Sequence, residues 1–231
     1  MELAAYRNIV VLTGAGISRS AGLATYRGPG GLWSDPKQAE LSHVDALHAR
    51  RDEVCGMFWR FREAIGAVQP TAAHRALAAF EATLPATTSF TLVTQNVDGL
   101  HQRAGSRRVV EYHGSLARSR CEVCGREVEP PDGDGPPTCC GQVMRPSVVL
   151  FGETIPVDAE HAVKRALRDV DLFVAIGTSG TVAPASGFAS SAAYAGARRI
   201  LLNLEFVDGG RELFDEIRLG ESDALVPALF A

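Results

Sequence analysis

The chain has 231 residues, of which 46% are hydrophobic, 22% charged and 7% aromatic, with a formal net charge of −4. That length holds one good core, or one domain carrying a smaller insert. The negative balance argues against a general binder of nucleic-acid phosphates, no apolar stretch is long enough for a membrane span, and MELAAYRN lacks the apolar region of a signal peptide, so a cytoplasmic protein is expected.

In chain order, the first element is the apolar run Ile9–Thr13, which reads as a strand leading into Gly14-Ala15-Gly16. A dinucleotide-binding turn would place a third glycine at position 19, where Arg19 stands. A polar, glycine-punctuated loop with Tyr26 and Arg27 follows. Residues 34–70 carry helical patterns and no strand; in MFWRFREAI, Met57, Phe58, Phe61 and Ile65 form an apolar stripe, with Trp59 and Arg62 together at its edge. A second stripe (Ala72-Ala73, Ala76-Leu77, Phe80) precedes the strands Phe90–Thr94 and Val109–Tyr112. Residues 115–150 hold four of the five cysteines and the stretch EPPDGDGPPT, too poor in apolar side chains to pack. A third stripe (Ala162-Val163, Ala166-Leu167) and the strands Leu172–Ile176 and Ile200–Leu204 close the pattern.

Mainly apolar strands alternating with helices predict an α/β fold, a parallel sheet covered on both faces. Ligands of such sheets bind beyond the C-terminal strand ends, so Gly14–Ser18, Gln95–Asp98, His113-Gly114 and Gly177–Ser179 share one rim. The expected division is a discontinuous Rossmann-like domain (1–33, 71–114 and 151–231) with a smaller inserted helical and zinc-binding module (34–70 and 115–150).

Cys121-Glu-Val-Cys124 is half of a zinc knuckle, because a two-residue gap lets both thiolates reach one tetrahedral ion. The other half, Cys139-Cys140, is adjacent, and two neighbours share an ion only where the backbone turns sharply, as Gly141 permits. Either the four thiolates hold one structural zinc, or the second half is degenerate and the site is lost.

Taken together, GAGIS (14–18), YRGPGGLW (26–33), TQNVDGLH (94–101), the HG at 113–114, CxxC, VVLFGE (148–153), GTS (177–179) and NLE (203–205) resemble the sirtuins, NAD-dependent protein-lysine deacylases. The resemblance spans nearly the whole chain. It implies NAD as co-substrate, contacted by Gly14, Ala15, Gly16, Ile17, Ser18, Tyr26, Arg27, Trp33, Gln95, Asn96, Asp98, Gly177, Thr178, Ser179, Asn203, Glu205 and Ala224. Within that set the glycine amides and Ser18 meet pyrophosphate, Asn96 positions the ribose and a water, and Asp98 meets the nicotinamide carboxamide. His113 is the implied base; His43, His48, His74 and His161 are read as structural and His101 is given no chemistry. Val149, Phe151, Gly152 and Glu153 belong to the segment implied to pair with an acyl-lysine peptide. The sequence departs from the family in Tyr26, where phenylalanine is usual, and in Ala24-Thr25, where proline is common.

One sirtuin branch, acting on succinyl- and malonyl-lysine, has Tyr-x-x-Arg where Trp59 and Arg62 stand, so an acidic acyl pocket is expected; the alternative is a deacetylase whose Arg62 is unused for acyl recognition. An ADP-ribosyltransferase or NAD glycohydrolase would share the cofactor residues, an NAD-sensing scaffold would lack His113 or Asn96, and a dehydrogenase would need the third glycine. The substrates expected are acyl-lysine proteins or peptides, with no direct nucleic-acid or membrane partner and a monomeric state.

Overall fold

The computed structural model describes residues 3–23, 35–130, 133–180, 182–205 and 211–231. Six parallel strands, β1 (Asn8–Thr13), β2 (Ser89–Thr94), β3 (Val109–Glu111), β9 (Leu172–Ile176), β10 (Arg198–Asn203) and β11 (Glu216–Leu219), lie in the order β11-β10-β9-β1-β2-β3. The chain winds outward from β1 to one side, then returns to its other side at β9. Strand order therefore reverses between β1 and β9, the crevice where such sheets bind ligands.

Period-two alternation sends successive side chains to opposite faces. Ile9 and Val11 of β1, Leu92 of β2, Val174 and Ile176 of β9 and Ile200 and Leu202 of β10 pack on one face under helices α4 (Ala72–Thr83) and α8 (Ser222–Phe230). Val10, Leu12, Val93, Phe173, Ala175 and Leu201 pack on the other under α6 (Val157–Arg168) and α7 (Phe188–Tyr194). Burial on both faces explains why the inner strands read as unbroken apolar runs. Thr71 begins α4 as a capping box with His74, whose ring is thereby pinned in the interior.

The remaining elements gather around a third core. Helices α1 (Pro36–Leu41), α2 (Val44–Ala49) and α3 (Arg51–Gly66) pack Leu47, Val54 and Met57 against Leu116 of β4 (Gly114–Arg120) and Val148 of β8 (Arg145–Val148). β4 lies between β8 and the short β5 (Glu127–Val128). A two-strand hairpin, β6 (Thr138–Cys139) and β7 (Gln142–Val143), carries the later cysteines, and the short α5 (Leu100–Arg103) follows β2. Among the described residues no helix is long and apolar enough to cross a membrane.

Candidate active site

At the strand reversal a cleft of about 610 Å³ runs from Glu205 and Glu221 past Gly14–Gly16 and Gly177–Ser179 to Asn96, His113 and Val148–Glu153. That volume is ample for a dinucleotide with part of a second substrate.

Gly14 and Gly16 meet a different constraint from the one expected of them. Their amides already donate to the carbonyls of Ile176 (3.0 Å) and Gly177 (2.9 Å), so neither N–H is left for pyrophosphate. The turns after β1 and β9 cross in contact: a Cβ on Gly16 would lie 2.6 Å from Gly177 Cα, and one on Gly14 would lie 2.8 Å from the Gly177 carbonyl oxygen. Gly177 itself has φ +59, a left-handed conformation. Arg19, in place of a third glycine, lies in the last turn of the 3-10 helix Ala15–Ala21 on the cleft wall, 3.6 Å from Glu221.

Behind this wall lies a buried polar network. The Thr71 amide donates to His74 Nδ1 (3.3 Å), so the neutral ring carries its proton on Nε2, which faces Ser18 Oγ at 3.5 Å. The Ser18 hydroxyl donates to Asp98 Oδ2 (2.7 Å) and accepts from Asn96 Nδ2 (3.2 Å), which also donates to the Gly14 carbonyl (3.1 Å). The Ser18 hydroxyl is thus engaged within this network. Asp98, expected on nicotinamide, instead accepts from Ser18 and from the Leu100 amide (3.0 Å), and its carboxylate is not part of the cleft wall. Burial raises the Asp98 pKa, an effect partly offset by these two hydrogen bonds. Ile17 is fully buried in the sheet core rather than at the cofactor surface. Asn96 is 4% exposed and lines the cleft, and its Oδ1 is buried with no hydrogen-bond partner among the described residues. An orphaned acceptor at a cleft wall fits a hydroxyl or bound water of a co-substrate.

His101 lies beside His74, ring centroids 4.6 Å apart, and its Nε2 meets Thr13 Oγ1 at 2.9 Å. Burial pushes His74 down to about 4 and holds His101 well below its usual value, so both rings are neutral in the fold. A histidine kept neutral by the fold contributes its full stability above the unfolded pKa of about 6.5, and that contribution is lost as pH falls toward the folded value. Lowering the pH from 7.5 to 5 is therefore expected to cost about 2 kcal/mol through His74 alone. Urea midpoints across that range measure it, and a flat profile would contradict it.

His113 follows β3. Its Nδ1 lies 3.0 Å from the Gln95 carbonyl, which can only accept, so Nδ1 holds the proton and Nε2 keeps its lone pair. Burial lowers its pKa, and the Gln95 contact partly restores it. The backbone carbonyl of His113 accepts from the Val149 amide (2.9 Å), tying the histidine to the VVLFGE segment. Gly114, at φ +80, allows that approach: a Cβ there would lie 2.1 Å from the Ser147 carbonyl oxygen. Gln95 Nε2 donates to Thr178 Oγ1 (2.9 Å) and Asn203 Nδ2 to the Thr178 carbonyl (3.2 Å), linking three strand ends, with Ser179 and Glu205 on the same wall. At the far end Ser222 and Glu221 line the cleft, whereas Ala224, expected there, lies within α8 off the wall. Tyr26, Arg27 and Trp33 lie outside the described residues.

Two further expectations change. Glu153 sits at the cleft, but its carboxylate is held by Arg145 (2.5 and 2.8 Å) and the Leu150 amide (2.8 Å). Phe151 exchanges backbone hydrogen bonds with Ser42 (3.0 Å) and Val44 (2.9 Å). Val149 and Gly152 stay on the wall. Arg62 is not on the wall; it donates to the carbonyls of Leu116 (3.1 Å), Ala117 (2.8 Å) and Pro130 (2.5 Å) and stands 5.5 Å from the Trp59 ring centroid. Trp59 is buried and its indole donates to Glu63 (3.1 Å). Phe58 is the α3 residue among those described that reaches the cleft, and Val182–Pro184, which sequence reasoning did not single out, line it as well.

The four cysteine sulfurs lie within 4.8 Å of one another, with Cys124–Cys139 at 3.7 Å and Cys139–Cys140 at 3.8 Å. A tetrahedron with 2.3 Å zinc–sulfur bonds has edges of about 3.8 Å, so the cluster fits one structural zinc and leaves no open position. Adjacency is resolved by the hairpin: Cys140 (φ 49) and Gly141 (φ 77) form its two-residue loop, both left-handed as a type I′ turn requires. Purified protein is expected to hold about one zinc per chain and to lose structure first around α1–α3 and β4–β8 on chelation. Folded protein without zinc would overturn this.

The Sir2 family profile matches residues 14–184, and the chain belongs to that family. It is 42% identical to an NAD-dependent protein deacylase of Aquifex aeolicus (strain VF5), over 86% of this chain and 84% of the relative. A Sir2 homologue solved with NAD superposes with a TM-score of 0.87 at 33% identity, covering 98% of this chain and 89% of that one. A Sir2 complex with a p53 peptide and NAD+ gives 0.82 at 26% identity, covering 97% and 92%.

Proposed function

We propose that this chain removes neutral short acyl groups, acetyl above all, from protein lysines, consuming NAD and yielding nicotinamide, O-acyl-ADP-ribose and free lysine. In this reading the acyl oxygen attacks ribose C1′ as nicotinamide leaves. His113 Nε2 then takes a proton from a ribose hydroxyl, which closes on the imidate carbon, and water releases the lysine. Asn96 Oδ1 is the acceptor that orders the ribose or the water. Val149 and Gly152 pair with the peptide backbone, and the two inserted stretches, 34–70 and 115–150, form one module beside the 1–33, 71–114 and 151–231 domain. The enzyme acts as a cytoplasmic monomer.

The acyl preference rests on one observation: the guanidinium that an acidic acyl chain needs is committed to three backbone carbonyls, while Phe58 presents an apolar wall. Succinyl or malonyl selectivity, the sequence-based expectation, requires Arg62 to leave those carbonyls. The carbonyls of Leu116 and Pro130 are partly buried, and an acceptor abandoned in the interior costs up to about 1–3 kcal/mol, whereas the exposed Ala117 carbonyl can turn to water. Paired acetyl- and succinyl-lysine peptides test the proposal. Acetyl is expected to give the higher kcat/KM, and Arg62→Met to lower thermal stability while leaving the acetyl-to-succinyl ratio within about twofold. A selective loss of desuccinylation in Arg62→Met would restore the acidic-acyl reading.

A further inference from the structure

Arg145 is the largest fully buried side chain among the described residues, at 0% exposure. Its guanidinium is saturated. Besides the bidentate pair with Glu153, it donates to the carbonyl of Val148 (2.8 Å) and, through Nε, to its neighbour Pro146 (3.3 Å). It also reaches Glu122 Oε1 (3.3 Å), whose other oxygen is paired with Arg51. Glu122 lies between Cys121 and Cys124, inside the knuckle. Glu153 lies at the other end, where it accepts from the Leu150 amide, next to the Val149 that is bonded to His113.

A buried ion pair is a poor route to stability, because apolar side chains of equal volume do as well or better. What it does here is join two loops, the metal knuckle and the VVLFGE segment, beside a longer contact of Glu153 with Arg120 (3.8 Å), the residue that precedes Cys121. We propose that Arg145 is a positioning residue that transmits the order of the cysteine knuckle, through Glu122 and Glu153, to Val149–Gly152, so that metal occupancy sets the alignment of the acyl-peptide strand. The inference rests on the reading of that segment as the peptide strand. Glu122 is the exposed end of the relay, with 31% of its side chain accessible, so it is the place to cut it without stranding a buried charge.

The test is amide hydrogen exchange at Leu150, in zinc-loaded and chelator-treated protein, beside steady-state kinetics with an acetyl-lysine peptide. In the wild type, chelation is expected to raise Leu150 exchange about tenfold or more, as loss of a charge-assisted hydrogen bond does. Glu122→Ala is expected to keep its zinc and to show no further rise on chelation. Its peptide KM should increase several-fold, with kcat and NAD affinity within about twofold. Arg145→Met should shift the peptide KM further and Arg145→Lys should recover part of it; if Arg145→Met fails to fold, Glu122→Ala carries the test alone. Equal sensitivity of Leu150 to chelation in the wild type and in Glu122→Ala overturns the relay. A relay seen in exchange with an unmoved peptide KM instead overturns the peptide-strand reading, and with it the claim on substrate alignment.

Discussion

Replacing His113 with alanine is expected to lower kcat/KM for an acyl-lysine peptide by about a thousandfold, the usual reach of a positioned general base. NAD affinity should change little, because the strand-end links among Gln95, Thr178 and Asn203 do not pass through the imidazole. Direction matters as much as size. The Gln95 carbonyl fixes the proton on Nδ1, so the free electron pair is on Nε2, where a base is needed. Burial lowers the pKa of the ring, keeping it unprotonated at neutral pH. Activity is therefore expected to fall on the acid side only below the ordinary histidine value of about 6.5. Titration calorimetry with NAD and a pH–rate profile check both halves. Turnover near the wild-type rate in His113→Ala would remove the histidine from the mechanism.

Gly16→Ala is expected to cost about 3 kcal/mol of stability together with loss of NAD binding. The added carbon would sit 2.6 Å from Gly177 Cα and 2.9 Å from its carbonyl oxygen. Both are backbone atoms, so relief requires separating the turns that follow β1 and β9 and breaking the Gly16–Gly177 hydrogen bond. Gly56→Ala is the control. It lies inside α3, with only the tip of Arg60 at 3.7 Å, and is expected to stabilise by about 0.5–1 kcal/mol through helix propensity. Urea denaturation of the two variants decides; equal midpoints would mean that the crossing of the turns is looser than these distances.

The inner strands were legible because each is buried on both faces and so reads as an apolar run; Leu172–Ile176 was bounded to the residue. β11 was not, because Glu-Ile-Arg-Leu is an edge strand whose charges pair sideways, Glu216 with Arg198 and Arg218. The rim of strand ends was predictable from topology alone, and His113, Asn96, Gln95 and Asn203 lie on it. What lay behind the rim was hidden. A helical wheel places Trp59 and Arg62 on one face, yet only the packed chain brings the carbonyls of Leu116, Ala117 and Pro130 to that arginine. Glu153 likewise looked like a substrate contact because its partner, Arg145, carried no sequence signal. Ser18 and Asp98 were read from motifs as ligand contacts, and the 2.7 Å hydrogen bond between them carried no signal in the sequence.

The reversal of strand order at β1 has a consequence for how the chain is made. β1 pairs with β2 on one side and with β9 on the other, and Ile9 faces Leu172 across most of the sequence. As the chain leaves the ribosome, β1, β2 and β3 can associate once residue 111 has emerged, but the second edge of Asn-Ile-Val-Val-Leu-Thr stays open until β9 follows. An open, uncharged, β-branched edge is a template for pairing with other chains. Closing it is a long-range step of the kind that makes folding slow. The crossing of Gly16 with Gly177 thus waits for β9, and a growing chain holds an adhesive strand half-covered until the cofactor crevice comes into being.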